Sequence, residues 1–393
     1  MRLDGIPLWD GTESRGPVDL SWEPDRIADV RPAASRYDDL CVIPGLVDTH
    51  VHLIGYAGHG AQPDFATWPL TTTRDEQVLH GVAHAQRAMR HGVTTLRDLA
   101  GDEAQIALRR VFDAGVLPGP RIQVHGVVGM TAGHNDLFVP PASPLRKPTA
   151  DGPDECRKLV RTWARAGMDG IKLTTSGGVL SIGDKNGWRN YTRDEIRAVV
   201  DEAHALGMLV ASHAHSEEGI RVAVEEGVDS IEHGTLMSTD LAETLAARQT
   251  PVAPTLLINE AIAEGRVPVT PEAMAKAAEL VATRNVLLAQ AAALGVRFVL
   301  GTDANGHHVQ FGDQLAEVVH MTRILGLDAE SALRAATSDA ADSIGVPVGR
   351  IAPGLGADLI VLRGRPWERI EDLATENIVA VVSRGRVVAG DLP

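Results

Sequence analysis

The sequence predicts an α/β fold: a (β/α)8 TIM barrel with a small β-sandwich domain formed by the two chain termini. Three observations point there. From residue 42 to about 325, short apolar runs alternate with longer helical stretches, the pattern of parallel strands joined by helices. The flanks read differently, as short strand-like pieces with turns such as "ADLIVLRG" and "IVAVVSRGRVVAG", and neither flank holds enough apolar residues for a core of its own. The length of 393 residues suits a barrel of about 250–300 residues plus an accessory piece. Residues 1–41 and 352–393 are therefore expected to combine into one composite β-domain beside a barrel over 42–351.

The strand candidates are "CVIPGLVDTHVHL" (41–53), "VTTLRDLA" (93–100), "RIQVHGVVG" (121–129), "GIKLTTSGG" (170–178), "LVASHAHS" (209–216), "SIEHGT" (230–235), "TPVAPTL" (250–256) and "RFVLGTDA" (297–304). Between them, "RDEQVLHGVAHAQRAMRHG", "RDEIRAVVDEAHALG" and "PEAMAKAAELVATRNVLLAQAAALG" read as helices, each ending in the glycine common at helix C-termini. A helix over 328–345 bridges back to the terminal domain. The stretch 130–153, rich in Pro, Gly and Asp, is a long connection after the third strand, and such loops tend to be functional.

Composition narrows the class. Hydrophobic residues at 44% and charged residues at 23% are ordinary for a globular protein. A formal net charge of -15 argues against nucleic acid or an anionic membrane surface as partner. Two cysteines, Cys41 and Cys156, are too few for a disulfide framework and fit a reducing compartment. Neither a signal peptide nor a bilayer-spanning run is read, so a cytoplasmic location is expected.

The chemistry lies at the C-terminal ends of the strands, where barrel enzymes carry it. Strand one ends in His50 and His52, two residues apart and so on one face. Strand four contains Lys172, strand five His213, strand six His233 and strand eight Asp303. Each has a bland reading: a hydrogen-bonded histidine, a solvated lysine, an aspartate capping the next helix. Together they converge on one mouth, and four imidazoles, a carboxylate and a lysine suit a two-metal hydrolytic site. Nitrogen and oxygen donors favour zinc, with manganese or iron as alternatives.

The motifs "PGLVDTHVHL", "HGVTTLRD", "GIKLTTSGG", "VASHAH", "DSIEHGT", "LGTDA" and "ALRAATSDAA" followed by "GADLIVL" resemble the amidohydrolase superfamily. More narrowly they resemble its imidazolonepropionase-related and prolidase-like branch. The resemblance implies that His50, His52 and Asp303 hold one metal and that His213 and His233 hold the second. It further implies that N6-carboxylated Lys172 bridges the pair. A hydroxide bridging the two ions would then attack a small amide, an Xaa-Pro dipeptide or an N-acyl amino acid, with Asp303 moving the proton. It also implies a homo-oligomer.

Deamination is the rival chemistry on this scaffold. Deaminases of the superfamily use one metal, lack the strand-four lysine and carry a glutamate three residues after the strand-five histidine, where this chain has Ser216. Hydrolysis of a cyclic amide or a lactone is a further alternative. A non-enzymatic binding module would have lost ligands, and all six positions are present. For substrate contacts, "MTAGHND" resembles a branch motif whose histidine touches substrate, which selects His134. His215 shares a strand face with His213 and is read as a contact to the substrate carbonyl, although prolidase-like relatives often carry tyrosine there. Arg189 and Tyr191 are expected to bind a substrate carboxylate. Arg97 and Asp98 read as a structural ion pair or as support behind the ligands.

Overall fold

The computed structural model describes residues 1–54, 68–143 and 146–393. Residues 144–145 of the long connection lie outside the described residues. The strands assigned are β1 (Arg2–Trp9), β2 (Ser14–Glu23), β3 (Arg26–Pro32), β4 (Leu40–Pro44), β5 (Leu46–Val51), β6 (Val93–Gly101) and β7 (Arg121–Val127). They continue with β8 (Gly170–Thr174), β9 (Leu209–Ala214), β10 (Ser230–His233), β11 (Val252–Ala253), β12 (Leu359–Arg363), β13 (Ile378–Ser383) and β14 (Arg386–Gly390).

Strands β5 to β11 form a seven-stranded sheet in chain order, every pair parallel. The expected eighth strand is instead a bridging segment. Phe298 makes a parallel bridge to Val252, and Ala304 one to Val51. Thr49 donates to Leu300 (2.9 Å) and His52 to Ala304 (2.8 Å), so this segment joins the two edges and nearly closes the barrel. Its backbone cannot stay extended, because Asp303 takes a left-handed φ of 57°.

The predicted first strand proves to be two. β4 pairs antiparallel with β12 (Ile43↔Ile360) and parallel with β1, inside a seven-stranded mixed sheet of order β14-β13-β12-β4-β1-β2-β3 built from both termini. The chain then crosses to the barrel at Gly45, where an added Cβ would lie 2.2 Å from Thr94 Oγ1. Alternation explains how one strand serves two layers. Val42 packs with Leu8, Leu359 and Val382 in the terminal core, whereas Cys41 and Ile43 face the main core. We propose Gly45, rather than the junction of 41 and 42, as the division between the two units.

The helices follow their sequence signals. Arg193–Ala205 begins with a capping box of Thr192 and Glu195, and Arg74–Arg90 with Thr73 accepting from Glu76 N. Gly92, Gly207 and Gly295 sit just past helix ends with φ of 87°, 71° and 89°. The helix expected over 328–345 is broken at Thr337 into Ala329–Ala336 and Ser338–Ser343. No described helix is long and apolar enough to cross a membrane.

Candidate active site

Strand ends β5, β8, β9 and β10 and the closing segment open into one pocket. It is lined by His50, His52, Lys172, His213, His233 and Asp303, with His134 and His215 beside them. All eight polar residues selected from these strands and from the long connection thus meet. Two of them, His233 (φ 72°) and Asp303 (φ 57°), are non-glycine residues in the left-handed region, strain of the kind stored at functional sites.

Buried carboxylates aim the first group. Asp48 ties β5 to the closing segment: it accepts from Thr302 Oγ1 (2.6 Å) and Thr302 N (3.1 Å), and from His50 N (3.1 Å). His50 Nδ1 lies 2.9 Å from Glu232 Oε2, leaving its Nε2 3.7 Å from Asp303 Oδ1. His52 Nε2 stands 3.0 Å from the same oxygen. Burial raises the Glu232 carboxyl, yet the adjacent Arg97 guanidinium and the His50 contact outweigh it and hold it well below the usual range.

In the second group, a wall oxygen occupies one nitrogen of each ring. His215 Nδ1 is 2.8 Å from Thr235 Oγ1, His233 Nδ1 is 2.7 Å from Thr255 Oγ1, and His213 Nε2 is 3.2 Å from the Gly177 carbonyl. The other nitrogen of each is left for the centre. Burial pulls His50 down to about 4 and His213 and His233 well below the ordinary value, so these imidazoles are neutral and offer lone pairs. The donors of His50, His52 and Asp303 lie within 4.8 Å of one another, as do those of His213, His215 and His233. This set fits divalent ions: neutral imidazoles with their second nitrogen anchored, plus an ionised carboxylate. The structure therefore adds His215 to the histidines able to reach a second ion.

Lys172, on β8, lines the same pocket as both groups. Its charge acts on His50 and Asp303 on one side and on His213 and His233 on the other. Burial lowers its ammonium to about 8, against the pull of Glu232 and Asp303, which raises the share of neutral amine able to add carbon dioxide.

His134 stacks on His213 with ring centroids 4.3 Å apart. Its Nδ1 is 2.8 Å from Ser181 Oγ, which donates to Asp184 Oδ1 (2.7 Å), and Lys276 Nζ donates to the same carboxylate oxygen (2.7 Å). A carboxylate held ionised by lysine can only accept, so the serine proton goes to Asp184 and Ser181 accepts from His134 Nδ1–H. The remaining nitrogen, Nε2, is thereby turned away from this chain with its orientation fixed. Lys276→Met is expected to lower kcat/KM by up to about a hundredfold as the ring loses its position, with Lys276→Arg recovering most of it. Steady-state kinetics beside a thermal melt would check this, and wild-type kcat/KM in the Met variant would refute it.

Other expectations change. Arg97 and Asp98 do not pair with each other. Arg97 Nη2 donates to Glu232 Oε1 (2.7 Å) and Nη1 to Ser230 Oγ (3.2 Å), while Asp98 accepts from Leu53 N (2.8 Å) and Ala100 N (2.9 Å). Arg189 and Tyr191 do not line the pocket. Arg189 is exposed, and Tyr191, with φ 65°, is turned into the core at 2% exposure. His307 and His308 likewise stand outside the lining, whereas their neighbour Asn305 is part of it. Sequence reasoning missed Glu232, Asp48 and the Ser181–Asp184–Lys276 chain. The one available signal was "SIEH", an acid inside an apolar strand next to a candidate ligand.

The sequence profile of the Amidohydrolase family matches residues 41–388. The chain belongs to this family. As an amidohydrolase it is a hydrolase acting on carbon–nitrogen bonds. Ochratoxinase of Aspergillus niger is 28% identical over 378 residues, covering 91% of this chain and 77% of that protein. A crystal structure of a Xaa-Pro dipeptidase with methionine bound in its active site is 32% identical, with a TM-score of 0.86 over 98% of each chain. A prolidase complexed with N-methylphosphonate-L-proline is 29% identical, with a TM-score of 0.89 over 99% of each chain.

Proposed function

We propose that this amidohydrolase cleaves a small amide of the N-acyl amino acid or Xaa-Pro dipeptide type at a site for two divalent ions, zinc by its donor set. His50, His52 and Asp303 would hold one ion, His213 and His233 the other, and carboxylated Lys172 would bridge them. The observation that supports this reading is that Lys172 lines the same pocket as both donor groups. Ions held there would bring the pKa of a bound water from 15.7 towards about 7 and polarise the scissile carbonyl.

The protein's own groups do the rest. Asp303, beside His52 and with its carboxyl lowered to about 2 against its burial by the nearby histidines, is ionised and can take a proton from the attacking water. The same carboxyl then returns that proton to the leaving amine. His134 and His215, both lining the pocket, are placed to orient the substrate carbonyl and its neighbours. Ser216 supports hydrolysis over deamination. Its hydroxyl accepts from Gly219 N (3.1 Å) as the N-cap of the helix Glu217–Glu225, so this position supplies no acid.

Elemental analysis of protein purified without chelators tests the metal reading. About two equivalents per chain are expected, falling sharply in Lys172→Ala while the melting temperature stays near wild type. One equivalent, unchanged in that variant, would sink the bridged pair. A panel of N-acyl amino acids and dipeptides then tests the substrate class, and turnover of aminopurines instead of any amide would overturn it.

A further inference from the structure

Besides the histidines, the pocket lining holds apolar residues, Leu99, Phe138, Val179 and Ile258 among them. Two cations from separate elements also line it: Arg74, at the start of the helix Arg74–Arg90, and Lys147, from the long connection that also supplies His134. Between them stands one carboxylate, Asp102. It faces Arg74 Nη2 and lies 3.2 Å from Lys147 Nζ. Asp102 is also committed to the backbone, because it accepts from Ala104 N (2.9 Å) as the N-cap of the helix Glu103–Asp113.

Donors therefore outnumber acceptors here. Lysine carries three N–H donors and arginine five. Lys147 gives one to Asp102, and Arg74 gives one to Asp102 and one to Gln77 Oε1 (3.2 Å). Asp98 also lies within the field of Lys147, but it is fully buried, does not line the pocket, and has both oxygens engaged by backbone N–H groups. The Lys147 side chain is only 19% exposed, so a charge brought to it meets little screening.

We propose that Lys147 and Arg74 form the carboxylate subsite of this amidohydrolase, selecting amides whose leaving amino acid keeps its carboxylate free. This rests on the amide-hydrolase reading above and narrows it. It also moves the carboxylate-binding role from Arg189 and Tyr191 to cations that line the pocket. The planar guanidinium can take the carboxylate bidentately while the ammonium closes on one oxygen.

The test pairs each N-acyl amino acid and dipeptide with its own C-terminal carboxamide, a neutral isostere. The acid is expected to be turned over with a kcat/KM on the order of tenfold to a hundredfold above the carboxamide, mostly through KM. Lys147→Gln should bring that ratio down about tenfold, and Lys147→Gln with Arg74→Gln should bring it close to one. Both side chains reach solvent, so the variants should fold, which a thermal melt confirms. Equal turnover of acid and carboxamide by the wild type, or a ratio untouched in the double variant, would overturn the subsite while leaving amide hydrolysis standing. If no amide is cleaved, calorimetric titration with N-acetyl-leucine and N-acetyl-leucinamide decides. Acid-selective binding lost in the double variant supports the subsite, and equal binding of the two refutes it.

Discussion

Asp303→Asn is expected to leave the barrel folded and to lower kcat by on the order of 10²–10⁴-fold, the usual worth of a positioned acid–base group. The asparagine keeps the shape of the side chain, and the backbone bond from Asp303 N to the His50 carbonyl (2.8 Å) does not depend on the carboxylate. What is lost is the ionised oxygen that faces both His50 and His52. The check is kcat on the best amide of the panel, read beside metal content and a melting curve. A variant that keeps more than about a tenth of the activity would remove Asp303 from proton transfer.

The second large effect is expected at a residue that touches no substrate. Arg97→Met removes the partner of Glu232 in a pair that is 2% and 0% exposed. Breaking a buried pair from one side typically costs about 3–5 kcal/mol, because the surviving charge is left uncompensated. Here that charge also sets the His50 ring, so the metal content should fall with the stability. Adding Glu232→Gln should recover much of the stability but not the metal. The pH dependence has a definite sign. With Arg97 present the Glu232 carboxyl is depressed, so its contribution is full above the ordinary value of 4.5 and is lost only as pH falls below it. Without Arg97 the burial is opposed only by His50 and Lys172, so the carboxyl should rise from its depressed position and the deficit should shrink as pH falls. Denaturant unfolding of the two single variants and the double variant measures this. A deficit below about 1 kcal/mol that does not vary with pH would show that the pair carries no such load.

Much of this site was legible because histidines, an aspartate and a lysine at the ends of apolar strands are anomalous residues, and a barrel brings strand ends together whatever their distance in sequence. The partners of those residues were harder to read. Arg97 and Asp98 look paired because they are adjacent, yet neighbours on a strand point to opposite faces, and Arg97 reaches across the barrel to Glu232 on β10. Arg189 and Tyr191 lie on a loop, where no periodicity fixes direction, and the fold sends one to solvent and the other into the core. Lys147 sits in a polar, proline-rich connection and reads as a solvated charge until Asp102 and the pocket wall are placed around it. The run from Cys41 to Leu53 reads as one strand because apolar character does not break at Gly45; only the change of hydrogen-bonding partner reveals two.

That junction bears on how the molecule is made. β4 is seated between β1 and β12, and β12 is synthesised roughly three hundred residues after it, so the strand leading directly into His50 must wait for a distant partner. During that interval an apolar edge stands open to any passing strand, including the same segment of another nascent chain. Chains interrupted before Leu359 should therefore accumulate in the insoluble fraction even when the whole barrel has been translated.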